Sequence, residues 1–573
     1  MHRSRSDVLS VSVSVRSLAW LGVLGTACSG AAASGSDNGG ASGAGASGAL
    51  SGGGALNVAG TPGAGGGASS ASGAPGAAGS NGSLGVSGAS AGGAPSTIGG
   101  APSTSSGGSN TGTGGSSAGR SSVAGSAGRS SVGSAGAAGS APTTGCGAGD
   151  TKLPAEPTIP AACSTLQASQ HVATDGVPAE SNFDTTPIQD ALNACASGKA
   201  VKLAASAGKE SFITGPLTIP KGVSLWVDTG ATLFGTRNPT LYGSASALIT
   251  VKGAGSGIVG DGVIDGQGGE PMVGSSSSFW DQNGAGGDSP ALIQVAGATN
   301  FTLYKITLHN APKFHVKLNA AGFVVWGVTI ITPSKPKNSV GTALTVTTAH
   351  NTDGVDPGES ASNGFIVCNK ISTGDDHIAI KGSSSTGVTN LTIAHNRFGA
   401  GHGMSIGSEF TGGVSHVSVY DLSIDGSLGG YANGIRIKSD SSRGGLVNDV
   451  TYSDVCVRDL QSPILLTPTY STNTGSDIPQ YTNIKIQNFH ALSGPSDQAV
   501  TLDGYDAAHQ NSVFLDNVIV DGLTAANATG SYTNVTTGPG NVSFKPTGTG
   551  VVVTNTISGT STPNPCTDKW TTF

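Results

Sequence analysis

One pattern constrains this chain more than any other feature. From about Leu292 onward a short alternating run rich in Val, Ile, Thr and Phe is followed by Asn, Asp or Gly and then by another short run. It reads NFTLYKITLHNAP from Asn300, GFVVWGVTIITP from Gly322, NGFIVCNKIST from Asn363, NLTIAHNRFG from Asn390 and HVSVYDLSIDGS from His416, and continues from Asp449, Asn483 and Val513. The starts lie mostly 22 to 34 residues apart. So short a unit cannot bury an apolar face alone, whereas stacked copies can, with alternate side chains inward and Asn or Gly bending the corners. A sandwich or a propeller is the all-β alternative, but propeller blades need about four strands per 40 to 50 residues. Each period here supplies two or three short runs, so the pattern predicts an all-β stacked solenoid, a β-helix.

The solenoid does not occupy the whole chain. Of 573 residues 93 are glycine, and the excess is concentrated near the start. Residues 1–28 carry Arg3, Arg5 and Arg16 and then about eleven small and apolar residues from Ser17 to Ala27, which reads as an export signal. Such a run falls well short of the roughly 20 residues that a membrane-spanning helix needs. Cys28 follows Gly25, Thr26 and Ala27, which resembles a bacterial lipoprotein cleavage site with Gly25 where Leu is usual. That leaves two readings: an outer-membrane lipid anchor at Cys28, or ordinary signal cleavage nearby. Residues 29–145 are almost entirely Gly, Ala, Ser and Thr, with no aromatic residue and with Asp37, Arg120 and Arg129 as the charged ones. A segment of that composition cannot bury enough apolar surface to fold. As a flexible coil it would span about 60 Å end to end, which makes it a tether.

Residues 146–573 are left as the catalytic solenoid. Removing the five arginines and two aspartates of residues 1–145 from the totals of 27 and 34 leaves 22 basic and 32 acidic residues. That acidic balance argues against a nucleic-acid partner, and any acidic ligand must be held by local cations. Six cysteines follow Cys28, an even number that permits disulfides in an exported protein, and none forms a C-x-x-C or Cys/His cluster of the zinc type. Cys163 and Cys195 bracket a short amphipathic stretch, Pro187 to Leu192, and are expected to pair, while Cys368 and Cys456 fall inside predicted strands and read as buried thiols.

Four motifs fall on consecutive stretches of the repeat: N-T-D-G at Asn351 to Gly354, G-D-D at Gly374 to Asp376, G-H-G at Gly401 to Gly403 and R-I-K at Arg436 to Lys438. Asp353, Asp375, His402 and Arg436 are successively 22, 27 and 34 residues apart, each close to one turn of the solenoid. Taken singly, each has a plain explanation as a turn, a solvated corner or the exposed face of a strand. The ordered set at one-turn spacing outweighs them. Breaking a glycosidic bond requires one carboxyl group to protonate the leaving oxygen and a second carboxylate as base or nucleophile. Clustered aspartates cannot all ionise cheaply, so at least one should hold a proton and supply the acid. Arg436 and Lys438, two apart on one strand, would present two fixed cations to a uronate carboxylate.

That order of motifs resembles the polygalacturonases of glycoside hydrolase family 28. IDGQGG from Ile264, NFTLY from Asn300, NTDGVDP from Asn351, GHGMSIGSE from Gly401 and RIKSD from Arg436 are most similar to the bacterial endo-acting members, with the resemblance running from about Cys163 to Gly522. It implies a single-stranded right-handed parallel β-helix of roughly ten turns with a short N-terminal capping helix near Pro187, a Cys163 to Cys195 disulfide, and pectin or polygalacturonic acid as substrate. It also implies Asp375 as general acid, Asp353 and Asp376 as the pair that activates water, and His402 beside the acid. Arg436 and Lys438 would be carboxylate binders, Tyr470 a substrate contact and Asp356 a further acidic cleft residue. No cofactor or metal is expected, and the protein should be a monomer, secreted or tethered to the bacterial cell surface. Inversion of the anomeric centre comes from the resemblance alone, since carboxylates one strand apart, about 4.8 Å, are closer to the retaining spacing. Departures from the family are His377, where relatives often have Asn or Cys, Ala291, where Arg is frequent, and a longer stretch from Val340 before Asn351 that would favour exo action if it closes one end. The alternatives carried are an exo-acting or substituted-pectin hydrolase of the same family, a calcium-dependent pectate lyase, and a non-catalytic pectin-binding solenoid.

Overall fold

The computed structural model describes residues 145–429, 433–555 and 561–573. The expected export signal and tether, with Cys28, lie outside the described residues, apart from Gly145 at the end of the expected tether.

Every pairing between the named strands is parallel, and the strands fall into three stacks wound by one chain. The first stack runs from Ala162–Gln167 through Ala200–Ala204, Ser224–Val227 and Gly257–Val259 to Val552–Asn555. The second begins with Ser211–Thr214, Thr232–Gly235 and Val263–Asp265. The third starts at Leu217–Ile219, and ten successive pairings link its eleven strands as far as Ala528–Ser531. This is a parallel β-helix of about the expected number of turns, and the right-handed rule for parallel crossovers gives its winding. From Val414 onward single long strands, such as Val414–Asp425 and Leu446–Arg458, serve the first stack and then bend into the second.

The corners explain why this repeat folds this way. Asn300, Gly322, Asn363, Asn390, His416, Asp449 and Asn483, the first residues of the quoted repeats, all have φ between 53° and 69°. Five residues after each, Lys305, Gly327, Cys368, His395, Asp421, Asp454 and Asn488 are left-handed too, with φ between 48° and 66°. Left-handed backbone is tolerated best by Gly, Asn and Asp, so the polar punctuation of the repeat is the bend itself. Between the corners alternate residues point inward. Leu308, Ile330, Ile371 and Phe398 are fully or almost fully buried in one continuous core, each contributing about 1.5 to 3 kcal/mol.

The expected cap is present: the helix Thr185–Ala194 buries Ile188 and Leu192 at the start of the core, and Cys163 is bonded to Cys195 beside it. A second short helix, Phe279–Gly284, has no periodic run to announce it. It starts at a capping box of Ser278 and Asp281 and buries Trp280. Cys368 and Cys456 are not free thiols. Cys368 is bonded to Cys146, and Cys456 to Cys566. Cys368 occupies a left-handed corner, and Cys456, though fully buried, is reached by the C-terminal segment. Both partners lie in irregular terminal segments that the strand pattern does not reveal.

Candidate active site

The four motifs meet on the third stack. Val355–Pro357, Ile378–Ile380, Met404–Ile406 and Asn433–Lys438 are consecutive strands there, with Val355 opposite Ile378, Ile378 opposite Met404 and Met404 opposite Ile435. Asp353, Asp376 and His402 each stand two residues before these partners and therefore share one register. Asp375 is one residue out of that column, and its Oδ1 is paired at 2.9 Å with His402 Nδ1.

Two glycines permit the turns that lead in. A side chain on Gly374 would strike the carbonyl oxygens of Ala349 and Val346, at 2.3 and 2.6 Å from its Cβ. One on Gly401 would strike the ring of His377 at 2.5 Å. Behind the turns sit two buried imidazoles. His315 Nδ1 lies 3.0 Å from the Asp353 carbonyl and its Nε2 2.8 Å from Thr332 Oγ1. His377 accepts from the Gly403 N–H at Nδ1 and donates from Nε2 to the Gly399 carbonyl, both at 3.1 Å, and its ring stacks on Phe398. Burial pushes both rings down to about 4, so both are neutral brackets at ordinary pH. His377, a departure from the family pattern, thus holds both ends of the turn that carries His402.

Arg436 and Lys438 do point the same way, as their spacing predicts, and both are buried against Asp376. The Arg436 guanidinium bonds Asp376 Oδ1, Lys438 Nζ lies 3.1 Å from Oδ2, and Ser405 Oγ donates to Oδ1 at 2.8 Å. Tyr470 lies on the far side of Lys438, whose Nζ sits 4.7 Å from the ring centroid. Lys381 was not singled out in the sequence. Its ammonium is 3.0 Å from Asp353 and 3.0 Å from Asp356, bridging the two. The signal that could have found it is the strand alternation: Lys381 follows Ile380 and pairs with Gly358 in the turn before, on the side that carries Asp356. Ser405, inside GHGMSIG, was missed for the same reason. The residues just before the longer stretch from Val340 tie it to the preceding turns, with Ser339 bonding Glu270 and Asn338 bonding the Gly269 carbonyl.

Electrostatics divides the four aspartates. Burial, reinforced by mutual repulsion, raises Asp353 well above the usual carboxylate range, and burial raises Asp356 to about 6, with Lys381 opposing both. Asp376 is also fully buried, yet Arg436 and Lys438 outweigh that cost and hold it low. Asp375 is lowered too, because His402, Lys438 and Arg436 together overcome its desolvation. The residue expected to hold the proton is therefore ionised, and the raised pair is Asp353 and Asp356. Atoms of Asp375, Asp376 and His402 lie within 4.8 Å of one another, a spacing a metal ion could span, but both oxygens of Asp376 are already taken by cations.

The profile of the Glycosyl hydrolases family 28 matches residues 195–542. The chain belongs to that family. Among its relatives in family 28, a polygalacturonase of Ralstonia nicotianae is 41% identical over 429 residues, covering 65% of this chain and 80% of that relative. An endo-polygalacturonase of Pectobacterium carotovorum subsp. carotovorum is 39% identical over 400 residues, covering 65% of this chain and 90% of that one. The solved structure of the polygalacturonase from Erwinia carotovora ssp. carotovora is 37% identical, covers 66% of this chain and 98% of its own, and superposes with a TM-score of 0.57.

Proposed function

We propose that this family 28 hydrolase is an endo-acting polygalacturonase that hydrolyses the α-1,4-galacturonosyl linkages of pectin's homogalacturonan without a metal. The observation that carries this reading is the pair Arg436 and Lys438, two cations fixed within ion-pair reach of one of three clustered aspartates. A neutral glucan would not require them, whereas a uronate carboxylate suits them.

In this mechanism Asp375 donates a proton to the glycosidic oxygen while Asp353 and Asp376 orient a water and take its proton as the water attacks the anomeric carbon from the opposite face. The outcome is inversion, which NMR of the first anomer released would test. The electrostatics of the site fit these roles once the charge of the substrate is included. A substrate carboxylate beside Arg436 and Lys438 offsets two of the groups that depress Asp375, which brings that carboxyl back toward its protonated form. Asp353, raised yet held by Lys381, is a stronger base than an ordinary carboxylate. Asp356 belongs with Lys381 as support, and Tyr470 packs beside Lys438 as a substrate contact.

The organisation we propose is an export signal over residues 1–28, a tether over 29–145 and a monomeric catalytic β-helix over 146–573, secreted or anchored at the bacterial surface through Cys28. Three disulfides support an oxidising compartment. Incubation with polygalacturonate tests the activity: viscosity should collapse while few reducing ends have appeared, with no rise in ultraviolet absorbance and no response to chelator. Slow viscosity loss in step with reducing ends would overturn endo action, and new absorbance would mean a lyase.

A further inference from the structure

We propose that Lys317 forms a second carboxylate-reading subsite on the N-terminal side of the catalytic turns, so that the cleft reads uronate charge at two separated positions along the chain. The inference rests on the polygalacturonase reading and deepens it.

Lys317 lies on the strand Val316–Trp326, whose first residues pair directly with Val355–Pro357, and its own partner is Asp356. It is half-buried on the outward side, between the buried Val316 and Leu318. Its ammonium sits 5.6 Å from the ring centroid of Phe314. Two more ammoniums share that ring, Lys313 at 5.1 Å and Lys381 at 4.6 Å, and the ring packs on Ala247 and Ala291. Three like charges around one aromatic ring repel one another unless each is balanced. Lys381 is balanced by Asp353 and Asp356, and Lys313 by Asp288 at 2.7 Å. Lys317 has no carboxylate partner among the described residues. Its neighbours in register do not supply one: Gln294 is neutral and bonds Ser246, and Asp356 is committed to Lys381.

The contrast with the other cations of this surface is the argument. Between Ala291 and Lys438 the third stack carries Lys317, Lys381, Arg436 and Lys438, and each of the last three faces an aspartate of the site. Among these four only Lys317 has no ion-pair partner of its own, whereas Arg436 and Lys438 share the single carboxylate of Asp376 and so keep positive charge for a substrate. Four strand steps separate the strand of Lys317 from that of Arg436, about 19 Å at the usual spacing. The aspartates lie between them. A uronate chain laid along the stack would be held by charge at both ends of the catalytic turns, which favours runs of consecutive free carboxylates over methyl-esterified ones.

The test is Lys317→Met, which keeps the aliphatic stem on Phe314 and removes the charge, with Lys317→Arg as the charge-retaining control and thermal melting to check the fold. On polygalacturonate KM should rise about two- to five-fold with kcat unchanged, the size of one partly exposed ion pair. On trigalacturonate, too short to reach both cations, KM should be unchanged, and Lys317→Arg should match the wild type on both. An unchanged KM on the polymer, or the same rise on the trimer, overturns the subsite while leaving the hydrolase reading intact. A wild type that releases no reducing ends from polygalacturonate overturns both.

Discussion

Two outward faces of the same solenoid are built on the same period and end in opposite electrostatic states. On the first stack, Tyr304, Trp326, Val367, Ala394 and Tyr420 form an outer apolar stripe capped by Leu153 of the N-terminal segment. Its charges are settled: Asp150 bonds Tyr420 and His395, and His395 and Arg397 both hold Asp421. Hydrogen bonding and ion pairing outweigh burial there, so Asp150 and Asp421 fall below the usual range and His395 rises. On the third stack burial, reinforced by the crowding of four aspartates around three cations and a histidine, pushes Asp353 and Asp356 up instead. On the first stack these ionisable groups have partners that keep them charged. The face left out of balance is the one open to chemistry.

Removing Lys381 should break that contrast most sharply. Lys381→Met leaves Asp353 and Asp356 buried together without their cation, so both shift further toward the protonated form. Since the base must be ionised, the acidic limb of the kcat/KM profile should move to higher pH, with a loss on the order of 10²-fold at mildly acidic pH; an unmoved limb would separate Lys381 from the base. His377→Ala should come next. The turn carrying His402 loses both of its imidazole bonds, and kcat should fall about ten-fold or more with KM little changed, whereas a purely structural role would lower the melting temperature and leave the activity of the folded fraction intact.

The other face should respond in stability alone. Breaking Cys146–Cys368 by Cys146→Ser opens a loop of 222 residues, which should cost about 2 to 5 kcal/mol in denaturant unfolding. The kcat of the folded protein should not change. The smallest effect belongs to Asp150→Asn. The raised His395 stabilises the fold below its unfolded value and loses that contribution as pH rises through its folded one. The lowered Asp150 and Asp421 contribute above theirs and lose it as pH falls. The contacts of Asp150, His395 and Asp421 therefore contribute most between about pH 4 and 6.5. Asp150→Asn should lower the melting temperature slightly within that window, and an equal effect at pH 9 would argue against the His395 contact.

Much of this was legible in the chain because corners and motifs are local. The left-handed Asn, Asp and Gly residues that open each repeat announced the solenoid, and four short motifs at one-turn spacing announced the site. What was hidden depends on register or on irregular chain. The spacing of 22 residues put Asp353 with Asp375, whereas the register puts it with Asp376 and leaves Asp375 free to turn toward His402. Lys381 and Ser405 are single residues on short strands and acquire meaning only from the turns beside them. Cys146 and Cys566 sit in terminal segments without period, so nothing in the repeat foretold that they would capture Cys368 and Cys456. Nor could motif spacing tell which aspartate is ionised, since that is set by which cations each one faces.

The most direct measurement of the central claim is reducing-end release from polygalacturonate by Asp375→Asn, with thermal melting recorded on the same preparation. We predict a loss of roughly 10³-fold or more with an unchanged melting temperature, as expected when a proton donor is removed from an intact site. A variant that keeps near wild-type turnover would contradict the assignment of Asp375 as the acid, and with it the proposed division of labour among Asp353, Asp375 and Asp376.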